Sequence, residues 1–572
     1  MSKVLLSVYG GFIALIISID VFAATPADLQ VIQQKQRQIQ QQRENELREL
    51  ERERLQRQPG GLELTPLPES LQSDDPATCT DISLIEVEGG DHLSSAVTDI
   101  KKDYENKCLT IVDINNLLKN ITNLFVEAGY VTTRAYIPAQ DTSDGVLTVE
   151  IIDGKINRLE EGGDWTPRFE FLTAFPNLEG GMLNIRDLEQ GLDQMNRLPS
   201  NNAKLKLVPG EKVGETIVVI ENTAAKRIRL SPGLSNSGSK STGELQGKFN
   251  AQADNLFGIN DYWTLDFSKA FAPDQGSDSK SFSGFVSIPY GYWTLSLSGD
   301  YFEYESEIEG SFQTFNTSGN SRSYKAELDR VIYRDADSKT SVAVSLRNKE
   351  TRNFIEDALL DTSSRELAIF GSRLNHSRRF QGGVLSGDIQ YQRGLKLFGA
   401  LKDESGTGNT PRAQFDKLDA SFNYYRPFTL ADQQLSWSSN AVAQWSPDTL
   451  YSTERISIGG QSTVRGFKEG SASGDVGGYL RNELSWNLPQ TGLKVPDHIL
   501  GRASLFAAYD IGKIRSDKSE VFEHGTMQGA AVGLRLNGGF ASGSLVWARP
   551  LSSPGYVEKR NNEVYVDFKV NF

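Results

Sequence analysis

The four histidines, His92, His376, His498 and His524, fall in unrelated segments, and no nucleophile motif, metal-ligand spacing or Walker A sequence accompanies them. Histidine-positioned hydrolysis, metal-assisted chemistry and nucleotide-driven work all lack their parts, so neither an enzyme nor a cofactor or metal is expected. What remains is charge pairing. Val464-Arg465-Gly466-Phe467 sits in a long Gly/Ser-rich connection between two strand-like segments, and Asp510-Ile511-Gly512 sits on a strand-like segment downstream. An arginine away from bulk water needs a carboxylate, which its planar guanidinium can meet through two parallel hydrogen bonds. Around Asp510 the residues alternate, with Leu505, Ala507, Tyr509 and Ile511 on one face and Phe506, Ala508, Asp510 and Gly512 on the other. If the first face meets lipid, Asp510 points into a lumen, and Gly512 leaves room for close approach of the loop backbone. On the preceding strand Leu480, Asn482, Leu484 and Trp486 alternate with Arg481, Glu483 and Ser485. Arg481 and Glu483 then line the lumen, as support for the loop or as ordinary polar lining. Alone, an Arg-Gly-Phe tripeptide is worth little; strands after it and an inward Asp give it weight.

Strands must hold these groups. The chain ends with Val564, Val566, Phe568, Val570 and Phe572 on one face and Tyr565, Asp567, Lys569 and Asn571 on the other. Such alternation separates lipid from a wet lumen. From Lys226 to Phe572 sixteen candidate strands follow one another, the second near Thr242, the sixth near Ser321, the tenth near Arg412 and the last near Glu563. The joins after the even strands are mostly very short and those after the third, fifth, seventh, ninth and eleventh longer, as in an outer-membrane barrel with short periplasmic turns. Tyr262, Trp263, Tyr292, Trp293, Tyr424 and Tyr425 are candidates for its interfacial aromatics. A soluble sandwich or propeller is the lesser reading. The mean hydropathy of −0.40 does not exclude a membrane barrel, because alternation hides the apolar face from an average. A net charge of −14 without a basic stripe argues against a nucleic-acid partner.

Lys3 and the apolar run Val4–Ile19, followed by Val21-Phe22-Ala23-Ala24, read as a signal peptide over 1–23. Residues 24–57 are rich in Gln, Glu and Arg, with no Gly or Pro after Pro26, and predict a helix polar nearly all round. At 1.5 Å per residue it would reach about 50 Å, enough to cross a bilayer inside a water-filled barrel. An exposed arm or coiled coil is the alternative. Residues 58–77, with their prolines and a Gly pair, form a linker.

Two α+β units follow, at 78–153 and 154–225. In the first, strands at 81–89, 131–137 and 145–152 enclose helices at 93–104 and 111–128; the second repeats the order with little identity. The only cysteines, Cys79 and Cys108, fall in the first unit, and an isolated pair in an exported domain is most simply a disulfide.

The order β-α-α-β-β resembles the POTRA domain, and the Val464–Phe467 motif with its barrel ending resembles the Omp85 superfamily. The whole arrangement resembles the TpsB transporters of two-partner (type Vb) secretion. That resemblance implies a lumen plug helix at 24–57, periplasmic POTRA modules and a 16-stranded outer-membrane barrel at 226–572. It implies that the motif loop folds back into the barrel, with the Arg465 position paired to the Asp of a D-x-G strand motif, here Asp510. It further implies a monomer in outer-membrane lipid, whose partner is a TpsA-type exoprotein that docks unfolded on the POTRA modules and threads the lumen. An Omp85-type insertase of outer-membrane proteins is the alternative. The cargo, whether adhesin, haemolysin or contact-dependent toxin, stays open.

Overall fold

The computed structural model describes residues 79–162, 169–223, 225–271, 276–403, 410–489, 501–516, 523–557 and 562–572, with Ile32, Gln33, Gln36 and Ile39. The expected signal peptide, the linker, and all of the 24–57 helix but those four residues lie outside the described set.

Sixteen antiparallel strands close on themselves. Numbered along the barrel they begin with β1 Ile228–Ser235, β2 Gln246–Asp254, β3 Tyr262–Ala270 and β4 Ser277–Tyr290. The tallest part comes next: β5 Trp293–Glu309, β6 Thr314–Arg334, β7 Ser338–Ile355 and β8 Arg365–Phe380. Then follow β9 Gly383–Leu395, β10 Asp416–Leu430, β11 Gln433–Trp445 and β12 Gly477–Asn487. The last four are β13 Arg502–Ile514, β14 Gly525–Asn537, β15 Ala541–Ser552 and β16 Glu563–Val570. Closure rests on Asp567, Phe568 and Lys569 of β16 opposite Ser235, Leu234 and Gly233 of β1. The alternation sorts the two faces physically. Leu505, Tyr509, Val564, Val566 and Phe568 lie exposed on the outer wall, while Phe506, Asp510 and Tyr565 between them are buried inside. Turns at Gln381-Gly382 and Ala431-Asp432 have positive φ at both positions, the twist that lets two residues close a hairpin.

Two expectations fail. The sixth strand starts at Thr314, so only residues 310–313 join it to β5, and no long connection follows the fifth strand. Glu303, Glu305, Glu307 and Glu309 take the outward positions that Leu295 and Leu297 hold lower on β5. The hairpin therefore leaves the apolar belt and continues as strand into water, where its polar sequence looks like a loop. Tyr292, in turn, is no lipid-interface residue. Its hydroxyl donates to Asp187 Oδ1 at 2.5 Å, because the turn that carries it is covered by the second N-terminal module.

The first module has a sheet of Leu84–Glu88, Val146–Ile152 and Arg134–Tyr136 against α1 (Ser94–Lys102) and α2 (Ile111–Glu127). Ile85, Leu117, Ile121, Phe125 and Val149 are wholly buried in its core. Thr110 caps α2 in a reciprocal box with Asp113, and the Thr110 hydroxyl and amide hold the Asp113 carboxyl below its usual range. A short strand that the sequence pattern does not announce, Lys107–Leu109, pairs with Thr80–Ile82. Cys79 and Cys108 are joined across this pair, with Cα atoms 5.3 Å apart. In the chain-entropy view such a crosslink stabilises a domain by about 3 kcal/mol.

The second module has strands Lys155–Gly162, Glu215–Asn222 and Ala203–Pro209 with α3 (Glu170–Ala174) and α4 (Ile185–Asn196). It meets the first through Ile185 N to Gly129 O, 2.9 Å. The polar side of α4 is buried against barrel turns. Gln190 and Gln194 both donate to Gly291 O at 3.2 and 2.8 Å, and Arg334 at the end of β6 pairs with Asp193 and, at 3.3 Å, with Glu189. The amide of Ser200 donates to Asp254 at 2.8 Å. These satisfied polar contacts fix the module to the turn end of the barrel.

Of the 24–57 segment, Ile32, Gln33, Gln36 and Ile39 are helical. Ile32 packs on Ile308 and Phe315, inward residues near the far ends of β5 and β6. Gln36 Nε2 donates to Phe354 O at 3.3 Å and Gln33 Nε2 to Thr362 Oγ1 at 3.1 Å.

Candidate functional site: a loop folded into the barrel

The connection between β11 and β12, residues 446–476, turns inward on a small stem in which Ile456–Ile458 pairs with Ala472–Gly474. Apolar residues hold it there. Ile458, Val464 and Phe467 pack with Tyr479, Ile514 and Met527 of the inner wall. At the tip Arg465 is 3% exposed and Asp510 0%. Arg465 Nε lies 2.6 Å and Nη2 2.8 Å from the two Asp510 oxygens, and the Arg465 amide also donates to Asp510, at 3.1 Å. Its remaining nitrogen, Nη1, donates to Glu483 Oε2 at 3.1 Å, and Glu483 accepts from Arg535 at 2.8 Å. Arg481 donates to Ser462 O of the loop at 2.7 Å and stands 3.9 Å from Asp510. The Phe506 ring lies 5.7 Å from the Arg465 guanidinium and 4.6 Å from that of Arg535. Burying these charges together is itself costly, but removing one partner would leave the other uncompensated, at about 3–5 kcal/mol in a dry site.

Glycines set the approach. Gly466 has φ +97°, and a Cβ there would lie 2.7 Å from Pro550 N, so a side chain is barred twice over. The sequence expectation for Gly512 needs correction in one respect. A Cβ at Gly512 would press on side chains, Val464 and Ile458, at 3.0 and 3.1 Å. The loop backbone instead lies over Gly529 of β14, where a Cβ would fall 2.0 Å from Arg465 O. Gly529 is the register partner of Asp510, which is why the bare position sits beside the carboxylate.

The loop is tied a second time at its root. Glu454 receives Lys349 of β7 at 3.3 Å and Lys417 of β10 at 3.0 Å, all three being 2% exposed. Next to it Arg455 pairs with Asp475 at 3.1 Å across the stem. Glu454→Gln would leave two buried ammonium groups without their shared carboxylate, a cost of about 3 kcal/mol in a dry setting. We expect extracellular protease to cut within 446–476 in intact cells carrying Glu454→Gln and to spare the parent. Equal protection would show that the root does not depend on this anchor.

Arg465, Asp510, Glu483 and Arg481 thus converge in one network. Arg535, Phe506, Gly529 and the Glu454–Lys349–Lys417 cluster were not singled out from sequence. Alternation from Asp510 places Phe506 inward and alternation from Gly529 does so for Arg535, so those two had a signal. Glu454 lies in a loop without periodicity and had none. None of these groups is arranged to react with a substrate; what they can do is hold or release a loop.

Residues 214–536 match the family of haemolysin secretion/activation proteins ShlB/FhaC/HecB. The chain belongs to this family. Its two modules match as well, residues 80–154 as a POTRA domain of ShlB type and 155–209 as a POTRA domain. Over 549 residues, 96% of this chain and 91% of the relative, it is 34% identical to the outer membrane transporter CdiB of Escherichia coli. It is 31% identical to the hemolysin transporter protein ShlB of Serratia marcescens over 429 residues, 75% of each. The structure of CdiB from Escherichia coli superimposes with a TM-score of 0.85 at 33% identity, covering 96% of this chain and all of that one. This member of the ShlB/FhaC/HecB family is therefore an outer-membrane transporter of two-partner secretion, with its POTRA domains on the periplasmic side. Relatives that are transporters favour export of a secreted exoprotein over insertion of barrel proteins.

Proposed function

We propose that an unfolded exoprotein docks on the POTRA modules and threads the barrel, and that the 446–476 loop and the 24–57 helix close the lumen at rest. The observation that carries this is the seat of Ile32 on the inward residues Ile308 and Phe315, in the same lumen that receives Arg465. A polypeptide cannot pass while both occupy the bore. The Arg465–Asp510–Glu483 network holds the loop tip, Arg481 supports it, and the Cys79–Cys108 bond keeps the first POTRA module rigid while cargo is bound. The transporter works as a monomer, since one barrel surrounds one path. The Serratia relative is a transporter of a hemolysin, which makes a haemolysin one candidate cargo.

The test is a crosslink. In a Cys79→Ser, Cys108→Ser background, Ile32→Cys with Phe315→Cys should form a disulfide that stops export, and reductant should restore it. Export at the parent level with the crosslink complete would mean that the helix need not leave.

A further inference from the structure

The turn between β2 and β3 is built with care and then exposes apolar side chains. Asp261, fully buried, accepts from the amides of Leu256 and Phe257, both at 3.1 Å, and from the Trp263 indole at 2.6 Å. Asn255 and Asn260 bracket the turn at positive φ, 55° and 56°. Leu256 and Phe257 are held by this frame yet stand 53% and 65% exposed. Trp263 is on the outward side of β3, in line with the exposed Leu265 and Phe267, and the Phe257 ring lies against it with centroids 5.9 Å apart. Phe257 is thus on the lipid side of the wall.

Helix α3 of the second POTRA module is welded to this turn. Glu170, buried, receives Asn255 at 2.7 Å on its carboxylate and Asn260 at 2.9 Å on its carbonyl, and Thr173 donates to Ile259 O at 3.1 Å. Thr173 O also accepts from Gly291 in the next turn, at 2.7 Å, where Tyr290 and Trp293 are exposed on the outer wall. Phe171 and Ala174 pack into the module core. On the face left over, Phe169 and Leu172 are 55% and 61% exposed. Large apolar side chains on an ordered, hydrogen-bonded element mark a contact rather than chance exposure.

We propose that Phe169 at the N-cap of α3 and Leu172 on the helix, with Leu256 and Phe257 of the β2–β3 turn, form a foot that the second POTRA module sets into the periplasmic leaflet of the outer membrane. The occupant is phospholipid at the headgroup–acyl boundary. What selects it is continuity: α3 lies between two turns whose outward neighbours, Trp263 on one side and Tyr290 and Trp293 on the other, belong to the aromatic girdle. The foot fixes the height of the module against the barrel rim, so cargo leaving the POTRA domains is delivered at the lumen mouth.

The full-length protein in phosphatidylethanolamine–phosphatidylglycerol vesicles tests this. Both native cysteines are joined to each other, so Leu172→Cys supplies one free thiol for a spin label. Leu172→Cys and Phe257→Cys should show a several-fold higher ratio of oxygen to nickel-chelate collisions than Val213→Cys, a residue 79% exposed at a far turn of the same module. A bimane at position 172 should be quenched by doxyl lipid, with heat-modifiable barrel migration confirming the fold of each variant. Collision ratios at 172 equal to those at 213, or protection appearing only when the exoprotein is added, would overturn the proposal and assign the patch to cargo in the second case.

Discussion

Arg465→Ala and Asp510→Ala should each remove most export while the barrel still shows heat-modifiable folding. Asp510 accepts three hydrogen bonds from Arg465, two from the guanidinium and one from the amide. Breaking one side of a buried pair costs about 3–5 kcal/mol when the site is dry, and less where lumen water can enter. The loss falls on the loop, because the wall strands keep their ladders on both sides of Asp510. The two variants should not be equal. Without Asp510, Arg465 still has Glu483 at 3.1 Å; without Arg465, Asp510 has among the described residues only the more distant Arg481, at 3.9 Å, as a cation within ion-pair distance. Arg465→Lys should lie between parent and Arg465→Ala, since an ammonium cannot span both Asp510 oxygens and Glu483 at once. Secretion assays on the two single variants and their combination decide it. Residues that act through one contact are non-additive, so the double variant should lose little more than the worse single one. Fully additive defects, or parental export in Arg465→Ala, would reduce the motif to loop sequence.

Much of the barrel was legible because one physical constraint repeats along it. A wall with lipid on one side and water on the other forces period-two alternation, and that places Asp510, Phe506 and Glu483 inward without any view of the fold. The reading failed where the constraint lapses. Beyond Phe302 the β5–β6 hairpin carries Glu at outward positions, so nothing in its pattern distinguishes a strand in water from a loop. Tyr292 carried the composition of a girdle residue, but its direction is set by α4 docking onto the turn, a tertiary event. The same is true of α4. Glu189, Gln190, Asp193 and Gln194 form its polar stripe, which from sequence faces solvent; here it faces Gly291 and Arg334. Which glycine clears the loop backbone depended on register between β13 and β14, not on either strand alone. Glu454 needed partners on two strands far apart in sequence, Lys349 and Lys417, and local pattern carries no trace of such a meeting.

Removing residues 24–57 should raise single-channel conductance in planar bilayers several-fold. A helix with side chains is about 10 Å across, a large share of the bore of a sixteen-stranded barrel. The 446–476 loop stays behind in the deletion, held by Asp510 at its tip and Glu454 at its root, so the conductance should remain below that of an empty barrel. Adding Glu454→Gln to the deletion should therefore open the pore further, by freeing the second occupant. A single substitution probes the seat of the helix without truncation. Ile32→Asp sets a carboxylate against Ile308 and Phe315, where burial of an unpaired charge is strongly unfavourable, so the helix should leave more often. The expected record is a channel that flickers between the parental level and the level of the deletion. Steady parental conductance in both Ile32→Asp and the deletion would mean that the helix does not block the path, and the loop alone would then have to account for closure.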